Sequence, residues 1–119
     1  MKRILVVEDN EKNMYLISFI LKKNNYEVIE ARNGEQGVEL AIKEKPDLII
    51  MDIQLPDIDG MEATKRIKES EEAGRIPIIA FTSYAMAGDR EKAFNAGFAE
   101  YIEKPINTKT FMADIEKHL

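Results

Sequence analysis

Three carboxylates, a hydroxyl and a lysine stand where apolar runs of the sequence stop. Glu8 and Asp9 follow Ile4-Leu5-Val6-Val7, and Asp52 follows Leu48-Ile49-Ile50-Met51. Thr82 closes Ile78-Ile79-Ala80-Phe81, and Lys104 closes the alternating stretch 98–103. Carboxylates gathered at one place repel one another, and one of them is pushed towards protonation unless a cation intervenes. A cluster of oxygen donors without His or Cys suits a hard ion. Mg²⁺ takes one or two carboxylates and keeps water and phosphoryl oxygens in its remaining positions. Lys104 supplies a mobile positive charge for a phosphoryl oxygen, and Thr82 a hydroxyl donor. Asp52 is then the candidate nucleophile, because a carboxylate that attacks phosphorus forms an acyl phosphate. Such transfer rests on alignment and charge stabilisation and needs neither His nor Cys. The sole histidine, His118, falls in the last turn of the chain and reads as a solvated helix end.

Each group also has a plain structural reading. Asp52 opens a stretch of turn residues containing Pro56, Asp57, Asp59 and Gly60, and Glu8, Asp9 and Asn10 suit the start of a helix. Thr82 is a good strand former, and Lys104 fits a surface position before Pro105. Their joint occurrence at strand ends favours the chemical reading, provided that the fold brings those ends together.

The surrounding pattern does so. Leu48 to Met51 has no polar break, as in a strand buried on both faces of a parallel sheet. Between strands, apolar residues recur at helical spacing: Met14, Leu16, Ile17, Ile20 and Leu21, then Val38, Ala41 and Ile42. A short strand over 27–31 separates these helices, and Asn24-Asn25 and Asn33-Gly34 mark the breaks. A third helix is expected over 61–69 and a fourth over 87–96 with Gly97 as its C-terminal cap. A last helix buries Phe111, Met112, Ile115 and Leu119 after a cap at Asn107 or Thr108. The pattern is α/β, five βα units doubly wound about a five-stranded parallel sheet in the order 2-1-3-4-5, a flavodoxin-like topology. The unbroken apolar runs place strands 1, 3 and 4 centrally and strands 2 and 5 at the edges. Glu8, Asp9, Asp52, Thr82 and Lys104 then share the carboxyl edge of the sheet, where open α/β sheets bind ligands.

The 119 residues suffice for one domain with a real core. Seventeen Lys and Arg against 22 Asp and Glu leave a net charge of −5, which disfavours general binding of nucleic acid. The absence of cysteine excludes disulfides, thiolate metal sites and a cysteine nucleophile. No apolar run approaches the length of a membrane span, so a cytoplasmic protein without direct membrane contact is expected.

Val7-Glu8-Asp9-Asn10, Met51-Asp52-Ile53-Gln54-Leu55-Pro56, Asp59-Gly60, Ala80-Phe81-Thr82-Ser83, Ala96-Gly97 and Lys104-Pro105, in this order and spacing, resemble the receiver domain of two-component response regulators. The resemblance covers the whole chain, 1–119, as a single receiver domain. With Asn13 included, it is nearest in look to DivK-type single-domain regulators and hybrid-kinase receivers. It implies that Asp52 accepts a phosphoryl group from a sensor histidine kinase or a histidine phosphotransfer protein. It implies Mg²⁺ held by Asp9, Asp52 and the backbone carbonyl of Gln54, with Glu8 acting through water, and Lys104 paired with the phosphoryl group. It further implies a cis Lys104-Pro105 peptide and a switch made of Thr82 and Tyr101. The surface of the fourth helix, fifth strand and fifth helix would then change shape and engage a downstream protein. Gln54 and Tyr84 lie where the family places side chains near the attacking water, so both are expected to tune the lifetime of the phosphate.

Three rivals are weaker. Aspartate-nucleophile phosphatases carry a second Asp two residues beyond the nucleophile, where this chain has Gln54. A flavodoxin-like electron carrier needs a Ser/Thr/Gly-rich phosphate loop, which is absent. A degenerate receiver acting as a scaffold would lack some of the expected groups. Whether the domain stands alone or belongs to a larger regulator or hybrid kinase is left open by the sequence.

Overall fold

The computed structural model describes residues 1–83 and 88–119. Five strands alternate with five helices: β1 (Arg3–Val7), α1 (Glu11–Lys23), β2 (Glu27–Ala31), α2 (Gly34–Glu44), β3 (Leu48–Asp52), α3 (Gly60–Glu69), β4 (Ile78–Thr82), α4 (Asp89–Asn95), β5 (Glu100–Glu103) and α5 (Phe111–Glu116). All strand pairs are parallel, in the order β2-β1-β3-β4-β5. The two strands with polar breaks are the edges, as their composition predicts. No helix among the described residues is long and apolar enough to cross a membrane.

Strand alternation divides the core in two. Leu5, Val7, Ile49, Met51, Ile78 and Ala80 face α2, α3 and α4, where Ala41, Ala63, Ile67 and Ala93 meet them. Ile4, Val6, Leu48, Ile50, Ile79 and Phe81 face α1 and α5, against Met14, Ile17, Leu21, Phe111 and Ile115. Each fully buried aliphatic or aromatic side chain contributes roughly 1.5–3 kcal/mol, so both faces of the central strands are held strongly.

Side-chain caps start three of the helices. Asn10 Oδ1 accepts from Asn13 N at 3.1 Å, Asn33 Oδ1 from Gln36 N at 2.8 Å, and Asp59 Oδ1 from Glu62 N at 2.8 Å. Helix α4 ends as expected at Gly97, whose φ of 107° lets its N–H reach Phe94 O while Phe98 N reaches Ala93 O. Those two bonds satisfy carbonyls that a helix end otherwise leaves bare.

Three expectations need adjustment. Leu16, grouped by spacing with the buried face of α1, points to solvent beside Tyr15 and Phe19. Ser18 is buried instead, because its hydroxyl donates to Glu30 Oε2 at 2.9 Å. Tyr15 and Phe19, one turn apart, stack with ring centroids at 6.2 Å and so shield part of each other's surface. Strand β5 begins at Glu100, since Phe98 is used in the α4 cap. Finally, α5 begins at Phe111, later than a cap at Asn107 or Thr108 implies. Asn107 does accept Lys109 N on its side chain at 3.0 Å, and its carbonyl accepts Phe111 N at 3.0 Å. It therefore organises the turn ahead of the helix, and the helix itself has no side-chain cap.

Candidate functional site

The parallel register sets the site. Val7 pairs with Met51, Asp52 with Phe81 and Thr82 with Glu103, so the residues at or just beyond these positions line one edge. Glu8, Asp52 and Thr82 are buried polar residues at the end of an otherwise apolar set of central strands. Asp9 is exposed at the rim. Glu8, Asp9 and Asp52 each turn one carboxylate oxygen to a common point, all within 4.8 Å of one another.

Lys104 closes the cluster. Its ammonium lies 2.7 Å from Glu8 Oε1 and 3.2 Å from Asp52 Oδ2, and 5.1 Å from the centroid of the Phe81 ring. Two charge contacts and an aromatic face hold a side chain that is otherwise mobile. Lys104 N also donates to Thr82 O at 2.7 Å, which fixes the start of the side chain against β4, and the Lys104-Pro105 peptide is cis.

The Asp52 carboxyl is pulled in opposite directions. Burial raises its pKa, and the neighbouring Glu8 raises it further; Lys104 and the N–H of Gln54 lower it, leaving it at about 7. The Gln54 N–H donates to Asp52 Oδ1 at 3.0 Å. The Gln54 side chain crosses to β4, where its Nε2 donates to Thr82 Oγ1 at 2.7 Å and Thr82 Oγ1 donates to its Oε1 at 3.0 Å. The loop beyond the acceptor is folded back tightly: Ile53 N donates to Phe81 O at 3.0 Å and Gly60 N to Ile53 O at 2.8 Å. A Cβ on Gly60 would collide with the backbone of Asp52 and Ile53, so only glycine permits this approach.

The profile of the response regulator receiver domain matches residues 4–116. The chain belongs to this family. The receiver domain is 44% identical over 118 residues to the polar-differentiation response regulator DivK of Brucella anthropi, covering 99% of this chain and 96% of that protein, and equally so to DivK of Brucella ovis. It also resembles the receiver domain of the sensor histidine kinase PA1611 of Pseudomonas aeruginosa, a structure with a magnesium ion coordinated in its active site cleft. That match has a TM-score of 0.90 and 37% identity over 98% of this chain and 95% of the other. The Vibrio cholerae chemotaxis protein CheY4 matches with a TM-score of 0.93 and 25% identity, over 100% and 99% of the two chains. Receiver domains are switches of two-component signalling that work with a histidine kinase or a phosphotransfer partner, and they are not enzymes in the ordinary sense.

The receiver brings Glu8, Asp9, Asp52, Gln54, Thr82 and Lys104 together at one edge. Tyr101 sits apart from them, on the face towards α4. Its ring is buried at 6% exposure, and its hydroxyl has no hydrogen-bond partner among the described residues. Tyr84 lies outside the described residues. Two contributors were not singled out from the sequence. Phe81 belongs by sequence to an apolar run, and nothing in that run marks the ring that faces Lys104. Asp57 was read as a turn residue, yet its carboxylate accepts from Gly34 N and Glu35 N, both at 2.8 Å. It thereby ties the loop after the acceptor to the start of α2. The turn-forming Asn33-Gly34 was the one hint, since free N–H groups at a helix start attract a carboxylate.

Proposed function

We propose that residues 1–119 form a single receiver that takes a phosphoryl group from a phosphohistidine onto Asp52 and relays or reports it. The observation that carries this reading is the convergence of Lys104 on both Asp52 and Glu8 at the carboxyl edge of the sheet. In the transfer, a carboxylate oxygen of Asp52 forms a bond to phosphorus as the phosphorus–nitrogen bond of the donor breaks, and that electron pair stays on the imidazole nitrogen. Lys104 stands within reach of the incoming phosphoryl oxygens, and Thr82 contributes a hydroxyl donor.

The acidic cluster fits Mg²⁺. Glu8 Oε1 is buried and lies near Lys104 Nζ without hydrogen-bond geometry, so one of its lone pairs remains available to a metal-bound water. The donors are all oxygen. Asp9, Asp52 and the carbonyl of Gln54 would hold the ion directly, and Glu8 through water. The bound ion would neutralise charge on the phosphoryl oxygens. The deprotonated form of Asp52 is the nucleophile, so the chain's own contribution is to keep Lys104 and the Gln54 N–H beside it.

Phosphorylation then biases an existing equilibrium through the contacts that Thr82 and Lys104 make with the new group. Thr82 and Tyr101 form the switch. The α4–β5–α5 face meets the downstream protein, and Phe94 and Arg90 of α4, with the guanidinium 5.3 Å from the ring centroid, are part of its surface. Gln54, between Asp52 and Thr82, tunes the lifetime of the phosphate. The acidic domain works in the cytoplasm without direct contact with nucleic acid.

Intact mass after incubation with acetyl phosphate and Mg²⁺ tests the acceptor. One phosphoryl group is expected on the wild type and none on Asp52→Asn or in EDTA. Equal gain on Asp52→Asn would refute the assignment.

A further inference from the structure

We infer that the Gln54 side chain is a latch, resting on the acceptor reading above, which occupies the donors of β4 in the unphosphorylated protein and must release them before a phosphoryl group is bound. The residue is anchored at its backbone, where its N–H donates to Asp52 Oδ1. Its amide then bridges to the end of β4 and engages Thr82 Oγ1 through both Nε2 at 2.7 Å and Oε1 at 3.0 Å. Ser83 N makes a longer approach to the same Oε1, at 3.4 Å. That N–H requires an acceptor, which places the amide oxygen, and not the nitrogen, towards Ser83.

One oxygen thus gathers two donors that lie at the end of the strand paired with β3. A phosphoryl oxygen on Asp52 presents the same chemistry to the same place. The Thr82 hydroxyl has a single proton, so while it donates to Gln54 Oε1 that proton is not offered to the phosphoryl group. Thr82 is 1% exposed, so bulk water does not readily take the place of Gln54 beside it. The latch therefore acts in the resting state, which separates it from an influence on the water that later hydrolyses the acyl phosphate. Gln54 is a positioning residue in this role: it sets where the Thr82 hydroxyl waits and how readily it turns.

Beryllofluoride with Mg²⁺, a non-transferable stand-in for the phosphoryl group, tests the competition by calorimetric titration of wild type, Gln54→Met and Gln54→Glu. Losing one hydrogen-bonded competitor should tighten binding to Gln54→Met by about three- to tenfold. Gln54→Glu keeps an acceptor opposite Thr82 and adds negative charge, so it should bind more weakly than wild type. Equal or weaker binding by Gln54→Met would overturn the latch while leaving the acceptor intact. Failure of all three proteins to bind would overturn both the acceptor reading and the latch. A second measurement requires no phosphoryl chemistry. The side-chain amide protons of Gln54 should exchange slowly in the resting protein and lose that protection in Thr82→Val. Protection unchanged in Thr82→Val would overturn the latch by itself.

Discussion

Replacing Asp52 by asparagine should stabilise the metal-free receiver, although it removes the acceptor. The Asp52 carboxyl ionises at about 7 in the folded chain against an ordinary value of 3.8, chiefly because it is buried and next because Glu8 is beside it. Between those two values the native state binds one more proton than the unfolded chain. Stability therefore falls as pH rises from about 4 to about 7 and stays reduced above that. At roughly 1.4 kcal/mol per tenfold change in proton affinity, the cost at pH 8 has a ceiling of about 4 kcal/mol. Asparagine carries no charge, still offers an oxygen to Gln54 N, and leaves Lys104 facing Glu8. Urea denaturation in EDTA at pH 8 should show Asp52→Asn more stable by about 2–4 kcal/mol, with the advantage shrinking to nothing near pH 4. Saturating Mg²⁺ should narrow the gap, because it binds the native wild type and adds about 2.7 kcal/mol at a hundredfold excess over Kd. Equal urea midpoints at pH 8, or an advantage that persists unchanged to pH 4, would refute the argument that burial and Glu8 strain the Asp52 charge.

Three further substitutions probe the supports of the site. Phe81→Leu removes the ring beneath Lys104 and its tilted contact with Phe111 at 6.5 Å. It should lower stability by about 1–3 kcal/mol in urea and slow phosphorylation by acetyl phosphate about two- to fivefold. Asp57→Ala frees the N–H groups of Gly34 and Glu35, so amide exchange at both should accelerate while exchange in β1 is unchanged. Gly97→Ala places a side chain at a φ of 107° and should cost about 1–2 kcal/mol by thermal denaturation, with no loss of phosphoryl uptake.

The sheet and its order were legible because each central strand is a single apolar run that ends in a polar group. Position did the rest: once the strands are parallel, Glu8, Asp52, Thr82 and Lys104 must share an edge. Spacing failed where a polar partner outweighs periodicity. Leu16 fits the stripe of α1 by number, but Ser18 takes the inner position because Glu30 receives its hydroxyl. Side-chain reach was also invisible. The sequence places Gln54 near the site but does not show it bridging to Thr82, and it gives no sign that Phe81 lies under Lys104. Asp57 reads as one more turn residue because its partners, Gly34 and Glu35, are more than twenty positions away.

Lys104 is the last residue of the site along the chain, and it follows a four-residue strand with one neighbour, β4. Short edge strands open locally at lower free energy than central ones. When β5 frays, Asp52 and Glu8 lose their counter-ion while β1 and β3 remain paired, and the acceptor is briefly left in a purely acidic setting. Hydrogen exchange of the Lys104 amide, which donates to Thr82 O, thus doubles as a clock for how often the site is without its cation, and a partner that clamps β5 would make phosphorylation more efficient without touching Asp52.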